Sequence, residues 1–196
     1  MLSVTEVLDY LTEPELLNWF ITKGKAACKK IGDEAKRVGS LVDQLVQQDI
    51  KVGEYAVPNG DTQVAICMVA WEKFKVEHTE FKPSIVSMQT ELVDDGIVGH
   101  PDFIRVDQIT DLKTSRAIHP RYWTQTAKYA KMAGKNKISI LRLDKESGMY
   151  EYKEQGEDVV AYENQVFEAY LVAFRHNTII REIIRKQLEL EVLGVA

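Results

Sequence analysis

Apolar positions in the first half of the chain recur every three to four residues, the period of a helix with one buried face. Ser3 with Glu6 reads as a capping box, and Thr12 with Glu15 as a second one. Pro14 suits the first turn of that second helix, where a missing N–H is harmless. A longer helix is predicted over about 33–48, with Val38, Leu41, Val42, Leu45 and Val46 as its apolar stripe. Asp61 is placed to cap another, running to about residue 76.

The period then shortens to two. Residues 84–92 carry Ile85, Val86, Met88 and Leu92 among polar neighbours and read as a strand. Asp94-Asp95-Gly96 is a turn signal, with further strands predicted over 97–106 and 108–114. The short spacing predicts antiparallel hairpins. Pro120 opens a helix to about residue 133, and Gly134 is a plausible stop. Strands are predicted over 137–143 and 149–153, joined by Asp144-Lys145-Glu146-Ser147-Gly148. A helix over about 160–190 closes the pattern, and its apolar face extends beyond what a small sheet needs, which points to self-association.

Composition narrows the class. At 196 residues the chain suits one domain over 1–196: a helical part over about 1–78, a core over about 83–155 and the last helix. No apolar run approaches the ~20 residues of a membrane span. The start, MLSVTEVLDY, lacks the basic-then-apolar layout of a signal peptide. Two cysteines, Cys28 and Cys67, cannot make a disulfide framework. The expected location is the cytoplasm, a host's cytoplasm if a phage encodes the chain.

The net charge of −5 argues against general affinity for nucleic acid. Its distribution argues the other way. From Lys113 to Lys137 there are seven Lys or Arg and no acid, with Tyr122, Trp123 and Tyr129 interleaved. Cations beside stacking aromatics suit a nucleic-acid strand. Arg116, Arg121, Tyr122 and Lys128 are the candidate contacts within this run. A lone charge run is more often a solvated helix face.

The chemistry concentrates just upstream. On a strand Asp111 and Lys113 share a face, while Leu112 turns to the other side. Asp102 on the preceding strand can converge with Asp111 across a hairpin. Two close carboxylates repel unless a cation or proton intervenes, and hard oxygens suit Mg²⁺. Pro101 marks an irregularity in its strand. Glu91 is a third acid, able to reach a metal directly or through water. Gln125 and Tyr129 share a helix face. Taken singly, Asp-x-Lys reads as a surface ion pair and Gln-x-x-x-Tyr as an ordinary amphipathic helix. His78, His100, His119 and His176 form no close metal-type pair and read as structural.

Gly99-x-x-Asp102, Asp111-Leu112-Lys113-Thr114-Ser115 and Gln125-x-x-x-Tyr129 together resemble the motifs of the PD-(D/E)XK nuclease superfamily. Within it they are most similar to the RecB-type nuclease domains, with phage recombination exonucleases as relatives. The likeness is strongest over residues 91–129. It implies an α/β (α+β), restriction-endonuclease-like core: a central mixed sheet of about five strands flanked by helices, a helical N-terminal part and a long C-terminal helix. It also implies a DNA nuclease that uses Mg²⁺ or Mn²⁺. Asp102 and Asp111 would bind the metal, helped by the Leu112 backbone carbonyl. Lys113 would orient the attacking water or help deprotonate it, and Gln125 and Tyr129 would hold substrate.

Two departures stand out. Where RecB-type relatives often carry a metal-binding His, Gly39-Ser40-Leu41-Val42 leads here to Asp43. Asp43 is either an oxygen ligand favouring harder ions or a solvated helical acid. No cysteine follows Cys67, so no iron–sulfur cluster is expected. The expected substrate is DNA, as single strands or duplex ends, in recombination, repair or phage replication. No phosphate-binding Gly-x-x-x-x-Gly-Lys-Ser/Thr is present, so a helicase or recombinase would be a separate partner. The rival readings are a non-catalytic DNA-binding or structural subunit and, less favoured, an endonuclease or RNase of the same superfamily.

Overall fold

The computed structural model describes residues 1–9 and 21–192, with side chains to residue 182 except at Lys25. The predicted capping box at Thr12 and Glu15, with Pro14, lies outside the described residues. Leu2–Ser3 form a short strand, β1, so the N-terminal part is not purely helical as expected. Helix α1 (Val4–Asp9) follows, started by the predicted box: Ser3 N–H donates to Glu6 Oε2 at 2.8 Å, and Glu6 N–H to Ser3 Oγ at 3.1 Å.

Helix α2 (Lys25–Val52) begins well before residue 33. Its first turns are polar and carry the exposed pairs Lys29–Asp33 and Glu34–Arg37, so no apolar stripe betrays them. Further along, Val38, Val42, Leu45 and Val46 are buried as predicted. Gly53 ends the helix at φ 82°, a left-handed conformation that favours glycine. Helix α3 (Thr62–Glu77) starts where Asp61 accepts from Val64 N–H at 3.3 Å. A single turn, α4 (Phe81–Ser84), leads into the sheet.

The central sheet has five strands in the order β2 (Ile85–Met88), β5 (Phe103–Arg105), β6 (Ile109–Lys113), β7 (Ile138–Leu143) and β8 (Tyr150–Gln155). Its neighbours are antiparallel except β6 and β7, which are parallel, so the sheet is mixed. The parallel pair requires a crossover, supplied by α5 (Pro120–Met132). Helix α6 (Glu157–Val192) closes the described chain.

A second sheet was not legible. Strand β4 (Ile97–Gly99) lies between β1, parallel to it, and β3 (Leu92–Asp94), antiparallel to it. The β3–β4 hairpin turns through Asp95 at φ 48° and Gly96 at φ 74°, the paired positive angles for which Asp-Gly is suited. The predicted strand over 97–106 is therefore two strands in two sheets, parted at residues 100–102, where Pro101 cannot donate to a ladder. The predicted strand over 84–92 likewise stops at Met88, because Gln89 takes a left-handed φ of 51°.

Strand alternation divides the core into two layers. Phe103, Leu112, Leu141 and Leu143 pack with Trp71 and Phe74 of α3 and the stripe of α2. Ile104, Ile109 and Ile138 pack with α1, with Ala127 and Ala130 of α5 and with Phe167 of α6. At β6 this places Asp111 and Lys113 on the side of α1 and α5, at the end of the strand where α2 also approaches.

Candidate active site

The C-terminal end of β6 opens into a cleft of about 510 Å³. Helix α2 lines it with Lys36, Gly39, Ser40 and Asp43, and α1 with Thr5, Leu8 and Asp9. The sheet contributes Asp102, Leu112, Lys113 and Thr114, and α5 contributes Arg121, Tyr122 and Gln125.

Asp102 lies in the bend before β5 rather than within a strand. Its Oδ2 accepts from Leu112 N–H at 2.7 Å, which ties the bend to β6 and draws Asp102 toward Asp111. The lining of the cleft includes Leu112, but its side chain packs into the core layer of α2 and α3. Asp111 is only 2% exposed. Its Oδ2 lies 2.7 Å from Lys113 Nζ, so the ammonium is the charged partner of this buried oxygen. Burial drives the Asp111 carboxyl well above the carboxylate range, with Lys113 opposing and Asp102 adding to the shift. For Lys113 burial works against the ammonium, but the charges of Asp111 and Asp102 outweigh it and hold the lysine protonated. Lys113 Nζ also donates to Gln125 Oε1 at 3.2 Å and sits 4.9 Å above the Tyr122 ring.

Asp43 reaches the same cleft from α2. Its Oδ2 accepts from Gln47 Nε2 at 2.8 Å and from Gln89 Nε2 at 3.2 Å, while its buried Oδ1 has no donor. Burial pushes this carboxyl up to about 6, with the Asp102 charge adding to the shift. It is not a solvated helical acid. Gln89 was not anticipated, and no period or motif marks it. Its Nε2 donates to Asp102 Oδ1 at 2.9 Å as well as to Asp43, so one amide nitrogen spans the two acids.

Tyr129 stands behind the cleft rather than in it. It is 5% exposed, its hydroxyl accepts from Gln125 Nε2 at 3.1 Å, and burial with the Asp111 charge pushes it up to about 12. It supports Gln125 instead of touching substrate. Gly99 explains the other half of that arrangement. A Cβ there would meet Tyr129 Cε1 at 2.5 Å and Cδ1 at 2.8 Å, so only glycine lets the ring lie against β4. The Gly99-x-x-Asp102 and Gln125-x-x-x-Tyr129 motifs are one packing unit.

Several expected contacts lie elsewhere. Glu91 is exposed beside His100, with Glu91 Oε2 3.5 Å from His100 Nε2, and does not line the cleft. Arg116 is 84% exposed and pairs with Glu146 away from the cleft. Lys128 is buried at 2% exposure, its Nζ bonded to Asp94 at 2.8 Å and held over Phe167. It fills a core position and cannot meet a strand. The basic run does not form one patch. Lys131 pairs with Glu168, Lys137 with Asp107, and Lys135 donates to the Val106 carbonyl. Of the run's cations, Lys113 and Arg121 line the cleft, and Arg121 also pairs with Asp9 at 2.8 Å. Tyr122 lines it as predicted.

A divalent metal fits the donor chemistry. Asp43 Oδ1 is a buried carboxylate oxygen without a donor, a costly state that a cation relieves. The acids do not form a ready-made cage. Among the described residues no three His, Cys, Asp or Glu side chains converge as metal ligands.

No family model and no curated protein matches the chain. Among solved structures it is similar to the crystal structure of an alkaline exonuclease, LHK-Exo, from Laribacter hongkongensis. That likeness has 14% sequence identity and a TM-score of 0.48, over 96% of this chain and 94% of the other. It is also similar to the crystal structure of LHK-Exo in complex with dAMP, at 15% identity and a TM-score of 0.45, over 96% and 94% of the two chains. Among the described residues no helix is long and apolar enough to cross a membrane.

Proposed function

We propose that this chain is a metal-dependent nuclease of the PD-(D/E)XK type that hydrolyses phosphodiester bonds in DNA. The observation that carries the reading is the Asp111–Lys113 pair at the end of β6. It sets a buried carboxylate 2.7 Å from a protonated lysine, with Asp102 drawn in by the Leu112 N–H. Asp102 and Asp111, with the Leu112 carbonyl and Asp43, would hold Mg²⁺ or Mn²⁺. When bound, such an ion lowers the pKa of a water and polarises a phosphate.

The chain's own residues supply the rest. The charges of Asp111 and Asp102 favour the protonated form of Lys113 in this arrangement, which suits a cation that orients water and stabilises charge developing on phosphate. Gln125 holds Lys113 Nζ at 3.2 Å, and Tyr129 holds Gln125, so the ammonium is aimed before substrate arrives. Arg121 and Lys36 line the same cleft and face an incoming phosphate.

End-labelled single- and double-stranded DNA, incubated with and without Mg²⁺ or Mn²⁺, tests the reading. The wild-type chain should cleave only with metal, and Lys113→Ala should fold, bind DNA and not cleave. A wild-type chain that binds DNA but never cuts it is a binding or structural subunit. Full activity in Lys113→Ala removes the proposed mechanism.

A further inference from the structure

Gln89 has the geometry of a built part rather than a filler. Its backbone adopts φ 51°, left-handed and unfavourable for a residue with a Cβ. That conformation is held by its N–H, which donates to the carbonyls of Pro101 at 3.1 Å and Asp102 at 3.3 Å. The side chain is thereby delivered between two elements distant in sequence. Nε2 reaches Asp43 Oδ2 on α2 at 3.2 Å and Asp102 Oδ1 in the bend before β5 at 2.9 Å.

An amide here does two things that no other uncharged side chain of its length does. It donates to both acids, so they stay near one another without a cation between them. It also adds no negative charge. With Asp43, Asp102 and Asp111 ionised and Lys113 protonated, the site carries three negative charges and one positive, a net of −2. One divalent ion balances that charge. Two would leave the site net positive, and the charge count of an oxygen site tunes how tightly it holds a hard cation.

We infer that Gln89 is a positioning residue that holds Asp43 and Asp102 together for metal and, by being neutral, restricts the cleft to a single divalent ion. This rests on the metal-dependent reading above. Gln89→Glu keeps the length of the side chain while placing a third carboxylate between the two acids. Gln89→Ala removes the bridge and changes no charge.

The test is a Mn²⁺ titration of the full chain without DNA, following free Mn²⁺ by electron paramagnetic resonance, with circular dichroism as the check on folding. Wild type should bind one ion per chain. Gln89→Glu should bind two, the first roughly tenfold or more tighter, and Gln89→Ala should bind one, roughly tenfold or more weaker, as for loss of a residue that orients ligands. A purely structural role would not move the count. Two ions on the wild type, an unchanged isotherm for Gln89→Glu, or an unchanged affinity for Gln89→Ala each overturn the inference while leaving the metal reading standing. Absence of Mn²⁺ binding by folded wild type overturns both. If Gln89→Glu fails to fold without metal, the wild-type count and the Gln89→Ala affinity still decide.

Discussion

Helix α2 buries two aspartates by contrasting means. Near its C-terminal end, Asp49 Oδ2 accepts from Trp71 Nε1 at 3.0 Å and from Lys75 Nζ at 2.8 Å. The charge is balanced by a neighbouring lysine, and the helix is pinned to α3. Toward the middle of the same helix, Asp43 has only amide donors on one oxygen and nothing on the other. Asp111 across the cleft is buried as well, with the Lys113 ammonium 2.7 Å from its Oδ2 and the Asp102 charge acting against it. A buried acid that completes its own hydrogen bonds is part of the scaffold. One that leaves an oxygen bare costs stability, and such incompleteness gathers where something else is to bind.

The strongest way to break this contrast is at Asp111. Asp111→Asn keeps the shape of the side chain but removes the charge that both holds Lys113 and would hold a cation. Cleavage should fall on the order of a thousandfold, the scale for losing a fixed charge at a reacting phosphate. Mn²⁺ affinity should fall in the same titration. A variant that cleaves at near wild-type rate would reduce Asp111–Lys113 to an ordinary ion pair.

Asp49→Asn should have the opposite character. It leaves the Lys75 ammonium with Glu72 alone, 2.8 Å away, and weakens the bond to Trp71 Nε1. Removing one partner of a part-buried network whose cation keeps a second acid costs about 1–2 kcal/mol. The melting temperature should drop by several degrees, while kcat and Mn²⁺ affinity stay unchanged at a temperature where the variant is folded. A change in metal affinity would mean that the two ends of α2 are coupled.

Gly99→Ala tests whether the motif glycine is about packing. The added methyl meets the Tyr129 ring at an impossible distance, and the ring is buried and cannot swing clear. Overpacking of this kind costs about 1–3 kcal/mol. Displacing Tyr129 also releases Gln125, and through it the aim of Lys113, so kcat should fall more than KM rises. Unaltered stability would show that the ring has room the structure does not reveal.

Much of this site was readable because its logic is local. Asp111 and Lys113 share a face because residues two apart on a strand must. The Asp95-Gly96 turn, the Ser3–Glu6 box and the Asp61 cap all rest on fixed short spacings. What could not be read depends on partners far along the chain. Gln89 matters through Asp43, forty-six residues away, and Asp102, thirteen away, and nothing in its neighbours predicts either contact. The seven cations after Asp111 resembled one surface, but helical and strand geometry sends them to different partners, and Lys128 into the core. The split of the 97–106 strand was signalled by Pro101, yet the parallel pairing of Leu2–Ser3 with β4 brings together segments at opposite ends of the described N-terminal half.

The smallest expected effect concerns pH. An ordinary aspartate titrates near 3.8, and Asp43 in the folded chain near 6. Between those values the folded state holds a proton that the unfolded state has already released. Folded protein therefore binds more protons, and stability must fall as pH rises through this window. Asp111, raised for the same reason, extends the window upward. In EDTA, urea denaturation should show the wild type losing about 1–2 kcal/mol more than Asp43→Asn between pH 4 and pH 8, after discounting for the water that reaches the group. At pH 4 the two should be nearly equal, since Asp43 is then protonated in the folded state. Saturating Mg²⁺ should flatten the wild-type slope, because the cation replaces the proton as the partner of the carboxylates. Parallel pH profiles for wild type and Asp43→Asn in EDTA would show that the burial of Asp43 is already balanced within the fold.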